Sequence, residues 1–188
     1  MDSLTESDKK ILLQLARQTI ERVVEGQSRP AIVLKDYSNR LQQDGASFVT
    51  LTRSGVLRGC IGALEAYQPL VQDVCEHAEA AALEDYRFSP VMPNEVSLLE
   101  IEISILTPSV SFLYETADDL VNNLRPGIDG VVLHDGARRA TFLPQVWEQL
   151  PDPEDFLSHL CAKMGSPGDL WRRKKLQVER YQVEEFHE

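Results

Sequence analysis

The chain has 188 residues, of which 43% are hydrophobic and 26% charged. These are the proportions of a folded globular protein and exclude intrinsic disorder. Nineteen Lys+Arg stand against 30 Asp+Glu, a formal net charge of -11, which a phosphate backbone would repel, so no nucleic acid is expected as a ligand. No apolar run approaches the ~20 residues that span a bilayer, so no membrane contact is expected. The start, Met1-Asp2-Ser3, lacks the basic-then-apolar form of a secretory leader. The cysteines Cys60, Cys75 and Cys161 are too far apart for a disulfide framework or a Cys-x-x-Cys metal knuckle. A cytoplasmic protein is expected, with no metal and no cofactor.

Thr5 with Asp8 has the form of a capping box and Gly26 that of a stop, and between them Ile11, Leu12, Leu15, Ile20, Val23 and Val24 recur at near-helical spacing. After a polar stretch from Asp36 to Gly45, residues Ala46–Ile61 read as a β-hairpin turning at Arg53-Ser54-Gly55. Pro69 opens a helix to about Asp85, with Leu70, Val71, Val74, Cys75, Ala78, Ala81 and Ala82 as its apolar stripe. Leu99, Ile101, Ile103 and Ile105 then alternate with Glu100, Glu102 and Ser104, the pattern of a half-buried strand.

The same order follows again. Val131–Leu143 reads as a hairpin at Asp135-Gly136, Asp152 caps a helix that Gly165 ends, and Leu176–Phe186 reads as one strand. Hairpin, helix, strand therefore occurs twice, at about residues 46–106 and 130–187. The expectation is a single α+β domain over residues 1–188, its two pseudo-repeats sharing one curved sheet.

Within the first hairpin, Leu57-Arg58-Gly59-Cys60-Ile61-Gly62 resembles the signature hexapeptide of the AMMECR family, whose microbial members are called AmmeMemoRadiSam system protein A. Five further segments resemble the family in order: residues 82–88, 99–104, Arg125–Gly130, 141–147 and 156–161. The resemblance covers nearly the whole chain. It implies a compact α+β fold with two repeats around one barrel-like sheet, and a pathway shared with Memo-like and radical SAM proteins as partners. It carries over no biochemical activity. His134 departs from the family pattern, so the resemblance gives it no role.

Strand alternation puts Arg58 and Cys60 on one face and Leu57 and Ile61 toward the core. A guanidinium beside a thiol favours the nucleophilic thiolate, which makes Cys60 the candidate catalytic residue. Gly59 and Gly62 would let a ligand approach the backbone, or they serve a bulge or a tight sheet contact. Asp85 and Arg87, with Glu84, end a helix where its dipole disfavours negative charge; either they pair with Arg58 at the same site, or Arg87 neutralises Asp85 while Phe88 anchors the next loop. Arg58, Gly59, Gly62, Asp85 and Arg87 are thus the candidate ligand-binding residues. Glu100 and Glu102 share a strand face and Arg172–Lys175 form a basic run, and both read first as solvated surface. Two functions stay open: an enzyme or enzyme subunit acting through Cys60 on a small polar or anionic substrate, or a module docking a partner protein through the same loop. Exposed apolar residues around the motif would favour docking, and a concave site catalysis.

Overall fold

The computed structural model describes residues 4–188; the leader reading, which began at Met1-Asp2-Ser3, lies outside them. In chain order the elements are α1 (Glu6–Val24), α2 (Asn39–Gln42), β1 (Ala46–Arg53), β2 (Val56–Gly62), α3 (Leu70–Leu83), β3 (Leu99–Leu106), β4 (Val110–Ser111), α4 (Ala117–Asn123), β5 (Gly130–Asp135), β6 (Arg138–Phe142), α5 (Pro153–Lys163), α6 (Leu170–Arg173), β7 (Gln177–Tyr181) and β8 (Val183–His187).

The class is α+β with antiparallel pairing, as expected, but the single barrel-like sheet is not found. The strands form two four-stranded sheets, ordered β2-β1-β3-β8 and β4-β7-β5-β6. Neither closes into a barrel. The chain clusters correspondingly into two compact units, one reaching Leu106 and including Glu184–Glu188, the other Thr107–Val183. The repeated element order explains why one sheet became two. Each hairpin recruits its own third strand, β3 onto β1 and β7 onto β5, and each sheet gathers its own hydrophobic core. The run 176–186 is also not one strand. It breaks at Gln182, whose N–H donates to the Thr107 hydroxyl (2.8 Å) while its carbonyl accepts from the Thr107 N–H (2.9 Å).

In the first unit α1 starts on the expected capping box, with Thr5 Oγ1 accepting from the Asp8 N–H at 3.1 Å and Asp8 accepting from the Thr5 N–H at 3.0 Å. Leu12, Ala16 and Ile20 of α1 join Leu70, Val74 and Ala78 of α3 over Val49, Leu51, Ile101 and Ile103 of the sheet. The β1–β2 hairpin turns through Ser54 and Gly55, both at positive φ (53° and 74°), the geometry of a turn that matches the right-handed strand twist.

One irregularity governs the hexapeptide. Leu51 faces Gly59 but Thr52 faces Leu57, so Arg58 is an extra residue in a β-bulge. A one-residue slip reverses the facing of everything beyond it. Leu57, expected in the core, is accordingly 39% exposed, whereas Ile61 packs against the core.

In the second unit Trp147 stacks on Phe156 with ring centroids 3.7 Å apart, above a core that includes Val131, Leu133, Leu160 and Trp171. Helix α4 rests on a capping box of Thr116 and Asp119.

The space beside Gly59 is filled by protein. A Cβ there would stand 2.1 Å from the Ala81 carbonyl oxygen of α3. Because that atom is backbone and cannot turn aside, Gly59→Ala is expected to destabilise the fold by about 3 kcal/mol. Chemical denaturation of the purified variant measures this, and an unchanged midpoint would disprove the close packing.

Candidate functional site

Helix α3 is built from strong helix formers, Leu, Ala, Glu and Gln, behind Pro69 at its N-cap. Positions four apart lie one above another on a helix, and Asp73, His77, Ala81 and, just past the last turn, Asp85 make such a row. Each of them holds the hairpin. Ser47 Oγ of β1 donates to Asp73 Oδ2 at 2.6 Å and lies 3.3 Å from His77 Nδ1. The Ala81 carbonyl fills the place of a Gly59 side chain. The Cys60 N–H donates to Asp85 Oδ2 at 2.9 Å.

Asp85 and Arg87 act together at Cys60. Strand β2 is the sheet's edge, so its outward N–H and C=O groups have no neighbouring strand. Arg87 Nη2 donates to the Cys60 carbonyl at 3.1 Å, while Arg87 Nη2 and Nε donate to Asp85 at 2.6 and 2.9 Å. A carboxylate that accepts from the strand and a guanidinium that donates to it take the place of a missing strand. Asp85 is buried. The Arg87 guanidinium, joined by the N–H groups of Cys60 and Arg87, outweighs burial and holds its carboxyl well below the usual carboxylate range. Arg87 also lies 5.5 Å over the Phe88 ring.

Arg58 goes elsewhere. Its guanidinium donates to Glu95 at 3.2 and 3.0 Å and to the carbonyls of Ser89 (2.8 Å) and Pro90 (3.3 Å). Arg58 lowers the Glu95 carboxyl to about 2, with help from the Met92 N–H. Of the two readings of the Asp85 turn, the structure therefore has Arg87 pairing with Asp85 and Arg58 pairing elsewhere. Two separate clamps hold the hexapeptide, Arg58–Glu95 at the bulge and Asp85–Arg87 at Cys60. Gly62, like Gly59, has its side-chain space occupied, here by the Ser47 carbonyl and the Phe48 ring at 2.3 and 2.4 Å.

What the clamps leave is the thiol. Cys60 is half-buried, whereas Cys75 and Cys161 are buried. Thr50 Oγ1 donates to Cys60 Sγ at 3.3 Å. The register sets Cys60, Thr50 and Glu102 in one row across β2, β1 and β3, so thiol, hydroxyl and carboxylate share the face opposite the core. Glu100 stands in the next row beside Thr52, 3.4 Å from its hydroxyl.

Two partners were missed from the sequence. Glu95 lies in a Pro-rich connection with no periodicity to mark it. Asp73 had a signal, an i,i+4 spacing to His77, yet it was hidden in an apolar stripe. The Ser47–Asp73–His77 cluster is not a nucleophilic triad: Ser47 donates to Asp73 itself, and His77 meets both through the same Nδ1. In the second unit the basic run is spent on local acids, Arg172 on Glu154, Arg173 on Asp169, Lys174 on Asp135 and Lys175 on Glu115. His134 Nε2 lies 3.5 Å from Glu179 and His159 Nδ1 2.8 Å from the Asp155 carbonyl oxygen. No group of three or more His, Cys, Asp or Glu among the described residues could hold a metal, and no described helix is long and apolar enough to cross a membrane.

The AMMECR1 family model matches residues 13–186. A protein of Methanothermobacter thermautotrophicus is 36% identical over 98% of this chain and 96% of its own length. Protein MJ0810 of Methanocaldococcus jannaschii is 32% identical over 100% and 94%. Among solved structures, protein PH0010 of Pyrococcus horikoshii superposes with a TM-score of 0.85 at 33% identity, covering 94% of this chain and 89% of that one.

Two outcomes are expected of this site. After brief iodoacetamide treatment, mass spectrometry should find Cys60 alkylated before Cys75 and Cys161, since burial shields both and pushes their thiols up. Equal labelling would remove the thiol from consideration. Asp85 and Glu95 are both depressed on folding, so their stabilisation is full above their ordinary values and is lost as pH falls. For Glu95 that loss runs from 4.5 down through about 2. The denaturation midpoint should drop across that range, and Glu95→Gln should make the drop shallower; an identical acid limb in the variant would show that the clamp contributes nothing.

Proposed function

In this chain, which belongs to the AMMECR1 family and whose segment Leu57–Gly62 lies on the edge strand of its first sheet, we propose that this segment is a docking surface for a partner protein. One observation carries the reading: large apolar side chains stand in solvent around the motif. Val56 is 68%, Tyr86 93% and Met92 58% exposed, and Leu57 joins them. The two clamps tie them to the motif, since Tyr86 sits between Asp85 and Arg87 and the Met92 N–H donates to Glu95. Apolar residues scattered singly on a surface mean little, but a group gathered at one rigid place is what partner surfaces use. The supports for a small anionic ligand have gone, because both guanidiniums are engaged and both glycines are packed against protein.

The partner this surface fits carries an apolar patch rimmed by basic groups, complementary to Glu84 and Glu100 and to the chain's net charge of -11. The family resemblance names the Memo-like and radical SAM proteins as the first to test. Titration calorimetry of the full chain against each, purified from the same organism, should show binding by at least one. Leu57→Asp and Tyr86→Ala should each weaken it by about tenfold or more. Absence of binding to both, or unchanged binding by the variants, overturns the reading.

A second reading rests on the thiol: Cys60 meets a hydroxyl donor and shares its face with Glu102. In that reading the chain is an enzyme or enzyme subunit whose substrate is small and polar, uncharged or cationic rather than anionic, since carboxylates share that face. Cys60→Ser separates the two, leaving docking intact while abolishing thiol chemistry.

A further inference from the structure

A cavity of ≈ 250 Å³ opens in the first unit at the other end of α3 from the hexapeptide clamp. It lies between the segment that leaves α1, at Arg29, Pro30 and Ile32, and the first turns of α3, at Gln72, Cys75 and Glu76. This volume sits just below the roughly 300–1,000 Å³ of ordinary small-molecule pockets, so its occupant is small. The lining is mixed: Pro30, Ile32 and the buried Cys75, whose thiol burial pushes up, give it an apolar part beside the polar Arg29, Gln68, Gln72 and Glu76.

The mouth carries both signs of charge. Glu76 is fixed, accepting from the Tyr67 hydroxyl at 3.1 Å and from Gln68 Nε2 at 2.8 Å. Arg29 leans on Glu79 through Nε at 2.8 Å, while its Nη1 stands 3.9 Å from Glu76. That second separation is too long for a hydrogen bond. The guanidinium thus keeps donors for an incoming anion, and the held carboxylate of Glu76 keeps acceptor capacity for an incoming cation. The Gln72 carboxamide lines the same space.

We propose that this cavity binds a small zwitterion with an apolar side chain, such as a free amino acid. Its carboxylate meets Arg29, its ammonium meets Glu76, and its side chain lies against Pro30, Ile32 and Cys75. Binding of this kind separates the Arg29–Glu76 contact and replaces it with two shorter charge-assisted ones. The site is independent of the docking surface and stands or falls without it.

Titration calorimetry with L-leucine, on the full chain, tests this. 4-Methylpentanoate, which lacks the ammonium, and 3-methylbutylamine, which lacks the carboxylate, are the controls. Leucine should bind, each control should bind at least about tenfold more weakly, and Arg29→Gln and Glu76→Gln should each weaken leucine by a similar factor. Both side chains are partly solvent-exposed, and matching circular dichroism will show that the variants fold. No heat from leucine up to ~10 mM, equal binding of a control, or unchanged binding by both variants overturns the proposal.

Discussion

The row Asp73, His77, Ala81 and Asp85 along α3 is the constraint on which the first unit depends. Each member meets the β1–β2 hairpin differently: two take a hydroxyl, one lends a carbonyl to the hollow beside a glycine, one accepts a strand N–H. A hairpin alone is marginal in water. Here the helix brings hydrophobic burial on one side and substitutes for a strand along the edge. Closing that edge with a charged pair also blocks the pairing with other chains that an open edge invites. The buried Asp73 keeps one oxygen without a partner, a cost that the fold accepts where Ser47 and His77 gather on the other.

The hexapeptide is consequently a packing motif before it is anything else. Its glycines allow helix backbone and an aromatic ring to come close, its arginine sits at a bulge, and its cysteine backbone is held on both sides. What remains for function is what such packing exposes: a thiol on the open face and apolar side chains along the edge. Rigidity serves either use, since a fixed surface loses little entropy on binding and a fixed thiol is already placed.

The two sheets solve one problem twice. In each, the first hairpin strand is central, the second lies beside it, and the strand after the helix adds on the other side. The fourth strand differs: the first sheet takes β8 from the far end of the chain, and the second takes the two-residue β4 that follows β3. Within the first unit the chain's end is held to α1, where Glu188 pairs with Arg17.

The sequence by itself determined helices α1, α3 and α5, both hairpins, the alternating strand at Leu99–Leu106 and the family, because each is written in neighbouring residues through periodicity, capping chemistry or turn type. It placed Cys60 as the accessible thiol and brought Asp85 and Arg87 into consideration with it. Only the tertiary structure decided that the strands make two sheets, that a bulge at Arg58 turns Leu57 outward, that Glu95 rather than Asp85 takes Arg58, and that Ser47 joins Asp73 and His77. Those outcomes depend on which segments meet across long stretches of chain. A bulge arises from how β1 and β2 register against each other and against α3, and an ion pair between residues 58 and 95 exists only once the fold has brought them together.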